Sequence, residues 1–105
     1  MNPKDPLFNS TGFEWDEDNV VKNWEKHRVS FWECEEVFFN QPLLITGDTE
    51  HSEQEERYYV LGKTEADRFL FIAFTQRHKR IRVISARDMN RKERNEYQNA
   101  EKKDS

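Results

Sequence analysis

The chain has 105 residues, 36% charged, 34% hydrophobic and 13% aromatic, and a net charge of -4 from 17 basic and 21 acidic side chains. That length supports one core rather than two, and Phe 8, Trp 3 and Tyr 3 are too many aromatics for a wholly disordered polymer. Three glycines, three prolines and one cysteine, Cys34, exclude collagen-like, low-complexity and disulfide-stapled classes.

No uncharged run approaches a membrane span. The lone cysteine, and the lack of a signal-type apolar segment in MNPKDPLFNS, lead us to expect a reducing cytoplasm and no membrane contact.

Residues 1–12 read as a flexible leader, 13–100 as a single domain and 101–105 as a frayed tail. Phe13-Glu14-Trp15 is either a short strand edge or a packed lead-in turn. Asp16 then caps a helix over about 17–27, with Val20, Val21 and Trp24 as its apolar stripe. Ser30 and Glu33 have capping-box spacing ahead of a second helix over about 31–39, where Phe31, Cys34, Val37 and Phe38 recur at helical period. After Pro42 the period changes to that of strands: 43–46, 57–63, 68–76 and 80–87. The doubly apolar RFLFIAFTQ suggests a central strand. Asn90 and Glu93 open a last, polar helix, with Tyr97 and Ala100 as its main contacts. The expected class is α+β: two helices, a four-stranded mainly antiparallel sheet, and a short terminal helix.

The average charge hides a division. Residues 1–67 hold six basic and sixteen acidic side chains, a net of -10, whereas 68–94 hold nine basic and two acidic, a net of +7. The basic set is Arg68, Arg77, Lys79, Arg80, Arg82, Arg87, Arg91, Lys92 and Arg94, with His78 among them. Seven of the nine are arginines, which suit bidentate phosphate contacts. A solvated face and a surface for an acidic protein use the same chemistry. Strict alternation in the last strand puts Arg80, Arg82, Ile84 and Ala86 on one side and Ile81, Val83, Ser85 and Arg87 on the other. Arg82 and Arg87 are therefore expected on opposite faces.

His27, His51 and His78 lack metal-ligand spacing, and the acidic stretch 48–53 reads as a hydrated loop, so neither a metal nor a cofactor is expected. Gly12, Gly47 and Gly62 are isolated and form no phosphate cradle. Cys34, on an apolar stripe, reads as a packed thiol, and Trp24 and Trp32 as core or interface packing. Tyr58 and Tyr59 point to opposite faces, where each either packs or stacks on a base. Metal-free RNA cleavage, by attack of a 2′-hydroxyl on the neighbouring phosphate, fits the remaining chemistry. It needs proton transfer and stabilisation of phosphate charge. His27 is either a satisfied structural histidine or a proton-transfer group, and Tyr97 either a docking residue or a catalytic phenol.

The order FEWDEDNVVKNWEKHRVSF, ECEEVFFN, DTEHSEQEERYYVLG and IRVISARDMNRKERNEY resembles the BrnT toxin family over about residues 13–98. The resemblance implies a RelE-like fold and a metal-independent endoribonuclease that arrests growth as the toxin of a type II toxin–antitoxin pair. It also implies a BrnA-type antitoxin, assembled two copies with two, which binds operator DNA and so regulates the shared operon. By matching motif it points to Lys26 and His27 of KHRVSF, Arg57 of ERYYVLG, Arg82 and Arg87 of RVISAR, and Arg91, Glu93 and Tyr97 of RKERNEY. Arg82 and Arg87 are expected at the scissile phosphate. His27, Glu93 or Tyr97 is expected in proton transfer, with Glu93 alternatively a helix cap. Lys26, Arg57, Arg77, Lys79, Arg80 and Arg91 are expected to bind RNA. Many BrnT-like sequences have glycine where this chain has Arg28, so that turn needs either reshaping or a left-handed arginine. Two other functions compete: a catalytically inactive interaction module, and a nucleic-acid binder without cleavage.

Overall fold

Two side-chain caps set the N-terminal helices. In the computed structural model, which describes residues 10–48, 50 and 55–104, Asp16 accepts from the Asp18 and Asn19 amides at 2.9 and 3.3 Å and opens α1, Glu17–His27. The Ser30 amide donates to Glu33 Oε1 at 3.0 Å and the Glu33 amide to Ser30 Oγ at 3.3 Å, the expected capping box of α2, Phe31–Phe39. Between the helices Arg28 takes a left-handed conformation, φ 53° and ψ 39°. The arginine thus occupies the turn that its position required, against the preference of a side chain bearing a Cβ.

Five strands follow the pattern β1 Gly12–Glu14, β2 Leu44–Gly47, β3 Arg57–Lys63, β4 Phe69–Arg77 and β5 Arg80–Asp88. They form one sheet in the order β1-β5-β4-β3-β2, with β4 central. The expected four strands are joined by β1, which pairs with β5 in parallel, Phe13 opposite Ile81. The other pairings are antiparallel. A three-residue strand has too few positions to show alternation, so only its partner reveals it. Part of the expected leader is structured as well: the Thr11 amide donates to the Lys79 carbonyl at 2.7 Å. Residues 1–9 of that leader, residues 49 and 51–53 of the acidic stretch, and residues 54 and 105 lie outside the described residues.

Val60, Ile72, Phe74, Val83 and Ala86 form the apolar face of the sheet, buried against Val29, Cys34 and Val37 of the α1–α2 turn and α2. Gly62 lets α2 come this close: a Cβ there would lie 2.5 Å from Val37 Cγ1. Cys34 is packed as expected, and burial pushes its thiol up to about 12.

The stripe expected for α1 does not face the core, since Val21 and Trp24 are 48% and 47% exposed. The helix meets β5 through asparagines instead. Asn23 Oδ1 accepts the Ala86 amide at 3.2 Å, and Asn19 Nδ2 donates to the Val83 carbonyl at 3.5 Å. β1 stops opposite Arg82, and these side chains satisfy backbone groups of β5 beyond it.

The last helix, α3, runs Arg91–Asp104. Asn90 and Glu93 cap it reciprocally, at 2.8 and 2.9 Å. It continues past residue 100, where fraying was expected, and Lys63 Nζ lies 2.8 Å from Glu101 Oε2. It crosses the second face of the sheet, burying Tyr97 with Leu61 and Met89 against Leu44, Phe69 and Phe71. Among the described residues no helix is long and apolar enough to cross a membrane.

Candidate nucleic-acid interface

The face of the sheet opposite the apolar core carries the arginines. Arg57, Thr75 and Arg82 lie side by side across three strands, as do Tyr59, Ala73 and Ser85, and then Leu61, Phe71 and Arg87. Phe74 pairs with Val83 and Ala73 with Ser85, so Ile84 is an extra residue bulged out of the ladder. This insertion overturns the expectation that Arg82 and Arg87 face opposite ways: alternation restarts after Ile84 and returns Arg87 to the side of Arg82. The two arginines share a face but not a point. Four residues of β4 separate their rows, about 13 Å along the strand.

Each arginine on this face with a described ion pair is held by a carboxylate. Arg82 Nη2 lies 2.9 Å from Asp16 Oδ2. The Asn19 amide and then the Arg82 hydrogen bond hold the Asp16 carboxyl below its usual range. Arg87 grips Glu93 with both terminal nitrogens, at 2.9 and 3.0 Å, and its guanidinium lies 4.1 Å over the Phe71 ring. Burial works to raise the Glu93 carboxyl, but the Arg87 hydrogen bonds, the Asn90 amide and the Arg87 charge hold it below the usual value. Glu93 thus both caps α3 and is kept ionised, the state of a base. Arg77 reaches Glu55 at 3.5 Å. Lys79 and Arg80, at the β4–β5 turn, and Arg91, on the first turn of α3, are exposed.

The remaining predicted residues are distributed differently. Tyr97 is fully buried and donates to the Pro42 carbonyl at 2.7 Å, the contact of a docking residue of α3. Lys26 and His27 are exposed on the last turn of α1. Asp16 caps the start of that helix and His27 is its last residue, about 16 Å away. His27 is therefore remote from Arg82. It adjoins the other end of β5, where the Arg68 hydrogen bond first, and the Arg68 and His27 charges after it, hold the Asp88 carboxyl below its usual value.

Arg68 ties that end together. Its Nε donates to Asp88 Oδ1 at 2.7 Å, its Nη1 to the Arg28 carbonyl at 2.8 Å and to Glu33 at 3.1 Å, and its Nη2 to the His27 carbonyl at 3.0 Å. It is a structural clamp rather than a phosphate ligand, a role that its place in a basic run conceals.

Sequence reasoning missed the groove beside Arg87. The groove holds about 440 Å³ between the open face and the start of α3, with Tyr59, Leu61 and Phe71 against Asn90, Glu93 and Glu96. Period two in β3 and β4 places Tyr59 and Phe71 on one side, but that α3 folds over them is a tertiary fact.

Two N-terminal helices, a mixed, mainly antiparallel sheet and a C-terminal helix define a RelE-like α+β domain. A family model described as "Ribonuclease toxin, BrnT, of type II toxin-antitoxin system" matches residues 15–93, and the chain belongs to that family. In structure it is similar to the ribonuclease toxin BrnT of Brucella abortus, known from a crystal structure at 1.1 Å resolution. The TM-score is 0.60 at 19% identity, over 78% of this chain and all of that one, a likeness of fold. No curated protein sequence matches the chain significantly.

Proposed function

We propose that the protein is a metal-independent RNA endonuclease, the growth-arresting toxin of its pair, and that the open face of the sheet is its RNA-binding surface. The observation that carries this reading is the Ile84 bulge, which gathers Arg82 and Arg87 on one face beside an ionised Glu93. RNA supplies its own nucleophile, so the protein has to move protons and stabilise charge.

Phosphates on the open face exchange with the carboxylates that now hold the arginines. Arg87 turns from Glu93 to the scissile phosphate, and the released Glu93 takes the proton of the 2′-hydroxyl. Arg82 holds a neighbouring phosphate, with Arg57, Arg77, Lys79, Arg80 and Arg91 extending the track. Protonated His27, at the same end of β5 as Arg87, supplies the proton to the departing 5′-oxygen, and Lys26 steers RNA towards it.

The partner is a BrnA-type antitoxin, two copies with two, through which operator DNA is bound and the operon regulated. Trp24, Phe31 and Trp32 are exposed together around one shallow apolar cleft of α1 and α2, which supports a protein partner on that side. The setting is cytoplasmic.

A second reading, an inactive interaction module, draws on the same ion pairs, because arginines closed by carboxylates need no substrate. Cleavage of RNA by the purified protein in chelator separates the two. The toxin reading expects cleavage that Arg87→Ala or Arg82→Ala lowers about 10²–10³-fold and that the antitoxin abolishes. Absence of cleavage by folded protein that still binds its antitoxin leaves the module reading.

A further inference from the structure

The groove beside Arg87 has chemistry that phosphate binding does not use. Tyr59 and Phe71 stack in its floor, ring centres 5.3 Å apart at 24°. The Arg87 guanidinium covers Phe71, so the half-buried Tyr59 is the ring left to receive a ligand. On the opposite wall both oxygens of Glu93 are engaged in the free protein, Oε1 by Arg87 and the Asn90 amide and Oε2 by Arg87, and once released it is committed to the 2′-hydroxyl. One turn further along α3, Glu96 also lines the groove, is exposed, and holds no hydrogen bond or ion pair among the described residues. An aromatic floor, a carboxylate without a partner among the described residues, and the cations Arg87 and Lys92 therefore surround one cavity, of a size usual for small-molecule sites.

An unpaired base stacks on such a ring and is read along its Watson–Crick edge. A carboxylate only accepts hydrogen bonds. Guanine alone among the four bases presents two adjacent donors on that edge, N1–H and N2–H, to the two oxygens of one carboxylate. Adenine and cytosine offer one amino group beside a ring nitrogen that repels it, and uracil a single imino group between two carbonyls.

We propose that this groove seats an unpaired guanine of single-stranded RNA. The base stacks on Tyr59 and donates N1–H and N2–H to Glu96, and its phosphate lies at Arg87. The inference rests on the reading of the open face as an RNA-binding surface and adds a base preference to it.

The test uses the full chain and uridine hexamers carrying 2′-O-methyl groups, which cannot be cleaved, with one central position varied among G, A, C and U. Anisotropy should show the G hexamer binding about tenfold tighter than the others. Glu96→Gln should level that difference. Tyr59→Ala should weaken all four hexamers about fivefold or more, and Tyr59→Phe, which keeps the ring, should not; thermal melts establish that each variant is folded. Equal affinities for the four hexamers, or a G preference that survives Glu96→Gln, overturns the proposal. So does free GMP binding as tightly as the G hexamer, since the groove is then a nucleotide site. Cleavage of ordinary RNA without a base preference in binding removes the guanine site and leaves the nuclease. A G preference without cleavage does the reverse.

Discussion

On the apolar face of the sheet, Val60, Ile72, Phe74, Val83 and Ala86 are sealed by α2 and the turn before it. On the other face the same strands present Arg57, Tyr59, Phe71, Arg82 and Arg87, and α3 covers only the end near Leu61. The first face has its apolar surface buried and holds the fold. The second has Arg82 and Arg87, whose present partners are carboxylates on neighbouring segments, an arrangement that a phosphate can enter by exchange. In the proposed reading, stability and function therefore lie on opposite faces of one sheet.

Substitutions on the two faces should therefore fail in different ways. The largest effect belongs to the apolar side: Phe74→Ala should lower unfolding free energy by about 3–5 kcal/mol in urea titration, leaving little folded protein. Its counterpart, Arg82→Ala, should melt close to the parent in the same titration while losing cleavage. Comparable destabilisation of both variants would break the division. Gly62→Ala comes next, at about 1–3 kcal/mol, because the added methyl meets Val37 at 2.5 Å and not solvent.

Arg68→Ala should cost about 1–2 kcal/mol after allowance for solvent screening, and this loss should depend on pH. The Arg68 hydrogen bond, outweighing burial, holds the Asp88 carboxyl below its ordinary 3.8. At Glu33 burial acts to raise the carboxyl, but the Ser30 and Arg68 bonds prevail and hold it below 4.5. Depressed carboxyls stabilise the fold above their unfolded values and lose that contribution as pH falls through the folded ones. The gap between parent and Arg68→Ala should accordingly be full at pH 6 and narrow below about pH 4; a gap constant down to pH 2 would show that the clamp is not electrostatic. The smallest effect is that of Arg28→Gly, which relieves the left-handed turn and should raise stability by no more than about 1 kcal/mol.

Local signals carried most of the fold. The Asp16, Ser30 and Asn90 caps, the period change after Pro42 and the central position of β4 are written in neighbouring residues. What escaped was set by partners distant in sequence. β1 exists because β5 offers it an edge. Nothing near Asn19 and Asn23 in the sequence marks the β5 backbone groups that they satisfy. At the site, the residue types and the basic segment were legible, and their grouping was not. One bulged residue, Ile84, decides that Arg87 joins Arg82, and no periodicity announces it. Tyr97, named for its place in a motif, proved to be what holds α3 down, whereas Tyr59, weighed only as one of two tyrosines, lines the groove.

The contact between α1 and β5 also bears on synthesis. Asn23 and the backbone it protects are 63 residues apart. Translation runs from the N-terminus, so the cover for this edge leaves the ribosome before the edge itself. A nascent β4–β5 hairpin with a bare outer strand is a template for pairing with another chain. Here the competitor for those hydrogen bonds is already tethered to the same polypeptide when β5 emerges. The order of the elements thus shortens the time in which an arginine-rich hairpin with an apolar underside stands open to its neighbours.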